Sequence, residues 1–276
     1  MKLRSRVAVS VLAVVASTAA VDGAASARAS RLWHGIPIQP LNLAPAFAAD
    51  ALPSGAMQPA ATRHKDQILS NERTFTRWAY VARIAPIYAQ PSTSSKRVTR
   101  LHWYTEDGFP EVYLLLRSHW DSHDRQWINL RIPMRPNGRT GWVPGDVLSR
   151  FHLTHTLVVV NRERLRMYIY MNGRKRWSAP VGVGKPSTPT PAGHFWIRER
   201  FRISNPGSGY WPYAFGTADY STLSDWPGGG VVGIHGPYYQ PQAIPGRISH
   251  GCIRLHRADD AWLAHHIELG TPLHVV

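Results

Sequence analysis

The chain of 276 residues contains one cysteine, Cys252. A single thiol excludes an intramolecular disulfide framework and leaves either a free reactive thiol or an intermolecular bridge. The reactive thiol suits its setting better, because Ser249-His250-Gly251-Cys252-Ile253-Arg254-Leu255 is a polar, glycine-containing run and not an apolar core segment. Paired-cysteine and HExxH spacings are missing too. His235, His250, Cys252 and His256 could be drawn together as zinc ligands, but no spacing supports it, so no metal or organic cofactor is expected. Acidic residues are scarce, 17 Asp+Glu against 32 Lys+Arg, for a net charge of +15. The excess is spread evenly, with 13 basic against 7 acidic residues in 153–276 and 11 against 6 in 76–150. Without a dense basic block, nucleic acid is not the expected partner, and anionic cell-envelope polymers are the better-suited class of surface partner. Long apolar runs are absent apart from Val7 to Ala20, about 14 residues and short for a hydrocarbon core of ~30 Å.

That run follows Lys2, Arg4 and Arg6 and precedes the small residues Ala24 to Ala29, the layout of a secretory signal peptide over 1–29, with an uncleaved anchor helix as the alternative. The protein is expected to be exported to the periplasm or cell wall, soluble or surface-attached. Residues 30–75 open with an Ala/Pro-rich stretch broken by Pro37, Pro40, Pro45, Pro53 and Pro59, read as a linker or arm. Residues 76–150 carry short alternating apolar runs such as Tyr80-Val81-Ala82-Arg83-Ile84 and Gln126 to Ile132, with Pro136-Asn137-Gly138 as a tight turn. Four or five such strands predict a small all-β barrel, and the Gly141-Trp142-Val143 ending resembles bacterial Src-homology-3-like domains.

Residues 153–276 read as a second, mostly β domain. Leu165, Met167, Ile169 and Met171 alternate with polar and aromatic residues, Asn172-Gly173 predicts a type I′ hairpin turn, and Trp177 to Val183 is the returning strand. One helix is predicted over Ala258 to Leu269, with Gly270 at its C′ position and Pro272 beyond.

An unperturbed thiol has a pKa of about 8.5, so a nucleophilic Cys252 needs a base or a positive environment. His235 ends the apolar strand Val231-Val232-Gly233-Ile234 and lies 17 positions before Cys252, and the intervening loop with Pro237, Pro241, Pro245 and Gly246 can fold it back onto the thiol. Gly236 and Gly251 flank the two reactive residues and permit close approach of a substrate backbone. The N–H groups of Gly251 and Cys252 are candidate oxyanion donors.

Ile234-His235-Gly236 followed by Ser249-His250-Gly251-Cys252-Ile253-Arg254-Leu255 resembles the catalytic signature of the L,D-transpeptidases, which crosslink bacterial peptidoglycan. Val181 to Gly193, with its Thr188-Pro189-Thr190-Pro191 core, and Gly270-Thr271-Pro272 extend the likeness over about His155 to Val276. The resemblance implies a β-sandwich catalytic domain with one main helix, Cys252 as nucleophile and His235 as general acid/base. It also implies Gly236 as the residue whose carbonyl orients that histidine, His250 and Gly251 flanking the oxyanion hole, and Arg254 near the substrate. Ser249 is expected to brace the turn. Tyr213, Tyr220, Trp226 and Tyr238 are candidates for a substrate-covering wall, Tyr213 and Tyr238 foremost. The implied partners are peptidoglycan stem peptides, with carbapenem-type β-lactams as covalent inhibitors. The implied reaction is acyl transfer to an amine of a neighbouring stem; an L,D-carboxypeptidase using water, or a non-catalytic wall-binding protein, are the alternatives.

Overall fold

A computed structural model describes residues 31–33, 36–40, 65–225 and 227–276. The signal-peptide segment, most of the Ala/Pro-rich stretch and Trp226 lie outside the described residues. Within the expected arm, Arg31–Trp33 and Ile36–Pro40 pair as an antiparallel hairpin, and the second strand adds to Phe201–Ile203 of the C-terminal unit.

The N-terminal unit is a sheet in the order His152–Thr154, Thr76–Tyr80, Val112–Trp120, Gln126–Arg131, Thr140–Pro144, Pro86–Tyr88, Arg97–Arg100, with the short strand Gln67–Ile68 also pairing with Val112–Trp120. The predicted barrel does not close. The free side of Thr76–Tyr80 is taken by His152–Thr154, with His152 opposite Trp78, so it is not available to pair with Arg97–Arg100. Ile87, Leu101, Leu115, Ile128, Leu130 and Val143 fill the core beneath this open sheet.

The C-terminal unit packs two sheets. Five strands run in the order Arg174–Pro180, Arg166–Met171, Thr156–Asn161, Pro272–Val275, Gly193–Trp196. Asn172 and Gly173 both have positive φ (51° and 73°), as a type I′ turn requires. The chain then changes sheet at Val181, so the expected returning strand splits into Arg174–Pro180 and Gly182–Gly184. The second sheet is ordered Arg31–Trp33, Ile36–Pro40, Phe201–Ile203, Tyr213–Tyr220, Val231–His235, Ile253–Arg254, Gly182–Gly184, Gly246–Ser249. Val158, Val160, Met167 and Ile169 from one sheet meet Phe215, Ile234 and Ile253 from the other, and the helix Arg257–His266 closes the core with Leu263 and Ala264.

That helix stops three residues earlier than the sequence pattern suggests, because Ile267 is extended and turns its side chain into the core. Gly270 is therefore no helix cap. With φ of 71°, it lies under the indole of Trp78, and a Cβ there would sit 2.0 Å from Trp78 Cγ. Gly270→Ala should cost about 2–4 kcal/mol from left-handed backbone strain plus overpacking. Urea unfolding measures this, and an unchanged midpoint would contradict the contact.

Candidate active site

Two short strands form the base of the site. Val231–His235 and Ile253–Arg254 run parallel, with Ile234 opposite Ile253 and His235 opposite Arg254, and Leu255 N–H donates to the His235 carbonyl (2.9 Å). The apolar residues Ile234 and Ile253 point into the core and are fully buried, and strand alternation sends their neighbours to the opposite face. Gly233 and His235 therefore share the face on which Cys252 lies. The Gly233 N–H points at Cys252 Sγ at 3.4 Å.

His235 is 1% exposed, and its Nδ1 lies 2.7 Å from the Gly236 carbonyl oxygen. A carbonyl only accepts, so Nδ1 carries the proton and Nε2 is the basic nitrogen of the neutral ring. Gly236 reaches this position because it has no side chain: a Cβ would lie 2.3 Å from the Trp211 carbonyl oxygen. The ring of Tyr210 flanks the imidazole at 4.6 Å between centroids and also meets Tyr238 at 5.0 Å.

The turn before the nucleophile is tied down from three directions. Buried Ser249 donates its hydroxyl to the Cys252 carbonyl (2.6 Å) and accepts the Gly251 N–H (3.1 Å). Thr190 Oγ1 donates to the Gly251 carbonyl (2.6 Å) and accepts the Gly184 N–H (2.9 Å), which links the Thr-Pro-Thr-Pro segment to the site. The Ser249 carbonyl accepts from Lys185 N–H (3.0 Å) and Thr188 Oγ1 (3.2 Å). In this arrangement the Gly251 N–H is committed to Ser249 and not directed at an oxyanion.

Cys252 is partly exposed. Burial raises its thiol above the ordinary value, and Asp219 adds to the effect, whereas the Gly233 N–H and the Arg254 guanidinium pull the other way. Burial thus disfavours the thiolate, and a nearby base is what nucleophilic attack calls for. Arg254 is 6% exposed and lies over the Tyr238 ring, 4.7 Å from its centroid. Burial lowers its own pKa. Tyr238 and Tyr239 both have positive φ (51° and 61°), and the Tyr238 N–H is anchored on the Gly209 carbonyl.

The other sequence candidates are placed differently. His250 is exposed. Tyr213 gives its N–H to Asp260 and its ring faces His265 at 6.2 Å, so it belongs to the helix contact and not to the Tyr210–Tyr238 cluster. Tyr220 points towards the N-terminal unit, where its hydroxyl meets Glu106 and the Pro133 carbonyl. Tyr210 is absent from the sequence candidates, although the Asn205-Pro206-Gly207-Ser208-Gly209 turn signal just before it marks a loop able to cover a site. Among the described residues, Glu72, His194 and His274 bring ligand atoms within 4.8 Å of one another. Arg131 already donates to both Glu72 oxygens (2.5 and 2.8 Å), and this group is separate from the residues around Cys252.

Residues 155–275 match the YkuD family, described as the L,D-transpeptidase catalytic domain. The chain is 26% identical over 184 residues to L,D-transpeptidase 1 of Mycobacterium tuberculosis, covering 54% of this chain and 70% of that one. It is 34% identical over 117 residues to the putative L,D-transpeptidase YkuD of Bacillus subtilis, covering 42% and 62%. Among solved structures, a mutant L,D-transpeptidase of Enterococcus faecium is 28% identical over 44% of this chain, with a TM-score of 0.36, and the match spans about half (49%) of that chain.

Proposed function

We propose, from the match of residues 155–275 to the L,D-transpeptidase catalytic domain of the YkuD family, that the protein is an exported acyltransferase that crosslinks peptidoglycan through a Cys252 thioester. The observation that carries this reading is the approach of the Gly233 N–H to Cys252 Sγ on the strand that ends in His235, whose Nδ1 is tied to the Gly236 carbonyl. His235 Nε2 takes the thiol proton as Sγ attacks the carbonyl of the third stem residue in a donor tetrapeptide. The C–N bond to the terminal D-alanine breaks, and the D-alanine amine leaves with the proton from His235. A thioester remains on Cys252. The side-chain amine of a neighbouring stem gives a proton to His235 Nε2 and attacks the thioester carbonyl; the C–S bond breaks, the thiol is reprotonated and a 3→3 crosslink results. The backbone N–H of Cys252 is the candidate donor to the tetrahedral oxyanion, and Arg254, which lies over the Tyr238 ring, is the candidate group to hold a substrate carboxylate.

Carbapenem-type β-lactams present a strained amide to the same thiol and are proposed as covalent inhibitors. The test incubates the protein with purified disaccharide-tetrapeptide and reads product masses. A dimer that has lost one D-alanine is the expected product. A tripeptide alone would turn the assignment to hydrolysis, and an unchanged substrate, as in a Cys252→Ala control, would overturn catalysis.

A further inference from the structure

The Pro136-Asn137-Gly138 turn of the N-terminal unit does more than reverse the chain. Asn137 lies against the end of Tyr213–Tyr220, the strand that pairs with the one carrying Gly233 and His235. Its Nδ2 donates to Asp219 Oδ1 (2.9 Å) and to the Tyr220 carbonyl (3.0 Å), and its Oδ1 accepts the Tyr220 N–H (3.2 Å). Two residues earlier, the Arg135 guanidinium donates to the carbonyls of Ser221 (3.0 Å) and Gly229 (2.8 Å) and lies over the Tyr220 ring at 4.8 Å. Ser221 N–H in turn donates to Gly230 (2.9 Å).

These contacts bear directly on the nucleophile's surroundings. A Cβ on Gly251 would lie 3.3 Å from Ser221 Cβ and 3.8 Å from Val232 Cγ2, so Ser221 forms the wall behind the Gly251-Cys252 turn. Asp219 is fully buried two residues before Ser221, and its Oδ1 is held by Asn137.

We propose that Arg135 and Asn137 are positioning residues for Cys252: they grip Asp219–Ser221 from the N-terminal unit and fix the wall against which the nucleophile's turn rests. The inference relies on Cys252 being the nucleophile proposed above. It also gives the N-terminal unit a role in the chemistry that a spacer would not have.

The experiment compares Asn137→Ala with the wild-type full chain by intact-protein mass spectrometry at one pH, using iodoacetamide and a carbapenem as separate probes of Cys252. Loss of the wall admits water and misaligns the turn. Alkylation should therefore become about tenfold faster and carbapenem acylation about tenfold slower, the scale of one lost hydrogen-bonded alignment. Arg131→Ala serves as the control, since it removes an ion pair within the N-terminal unit, with Glu72, whose Oε2 in turn meets His194 of the C-terminal unit (3.3 Å) far from the Asp219–Ser221 segment. It should leave both rates unchanged. Should Asn137→Ala fail to fold, Arg135→Ala removes both Nη2 hydrogen bonds, to the Ser221 and Gly229 carbonyls, and it should shift both rates in the same directions. Wild-type rates in Asn137→Ala, or equal changes in Arg131→Ala, would overturn the brace. A wild-type protein that alkylates but resists the carbapenem would instead count against the proposed function, and the alkylation comparison would still decide the brace.

Discussion

His235→Ala should slow acylation of Cys252 by at least ~100-fold, the lower end of what a positioned general base contributes. The size follows from the state of the thiol. Burial holds Cys252 above the ordinary thiol range, so little thiolate exists at neutral pH without proton transfer to His235. The variant should also change the shape of the pH dependence. Its residual rate depends on spontaneous ionisation and should keep climbing with pH beyond the usual thiol value of about 8.5. Stopped-flow acylation by a carbapenem from pH 6 to pH 10 reads both effects. His235 is buried at the end of a strand, so circular dichroism and a thermal melt must accompany the rates. A folded variant acylated at the wild-type rate would remove His235 from the mechanism.

The second large effect lies between the two units. Arg198 is 3% exposed and Glu111 2% exposed, and the guanidinium bonds both Glu111 oxygens, the Tyr220 hydroxyl (3.2 Å) and Glu106 (3.0 Å). Arg198→Met would strand two carboxylates in a site built to neutralise them. A loss of about 3–5 kcal/mol in unfolding free energy is expected. The double variant Arg198→Met with Glu111→Leu should recover much of it, because replacing both partners of a buried pair is far less costly than removing one. If the double variant is no better than the single one, the cost comes from packing and not from unpaired charge.

The same cluster sets a pH dependence. Burial, then the nearby Asp107 charge, raise Glu199 from 4.5 to about 8, while burial, then Glu106, raise Asp107 to about 6. An acid whose folded pKa is raised binds its proton more tightly in the native state, so stability falls as pH rises from the unfolded value to the folded one. Each such group gives a slope of up to about 1.4 kcal/mol per pH unit in that window. Urea midpoints should fall from pH 5 to pH 8, and Glu199→Gln should flatten the decline.

The amino-acid sequence alone marks the candidate reactive pair but not its surroundings. Cys252 and His235 are legible because the lone thiol, the apolar strand Val231 to Ile234 and the flanking glycines are local signals. The type I′ turn at Asn172-Gly173 is legible for the same reason, since positive φ is written in two adjacent residue types. Tyr210, Arg198 and Asn137 are not, because each acts through side-chain contacts with residues 22 to 87 positions away. The closed barrel fails on a related ground: periodicity identifies strands but says nothing of which neighbour reaches an edge first. Helix length is overestimated because Ile267 satisfies the same apolar period whether its backbone is helical or extended.

Trp78, Val112 and Leu114 belong to the N-terminal sheet, yet they lie in the same hydrophobic cluster as Val158, Phe215 and Leu263, and Trp196 Nε1–H donates to the Val112 carbonyl across the junction. A gene cut near residue 150 would therefore pass through a thermodynamic unit and not between two. Excising the second half leaves Trp196 without its acceptor and opens apolar core to water, so the isolated fragment would carry a sticky face where the native chain has an interior. Melting of the intact chain should be a joint event, in which neither half can loosen without exposing the other's core.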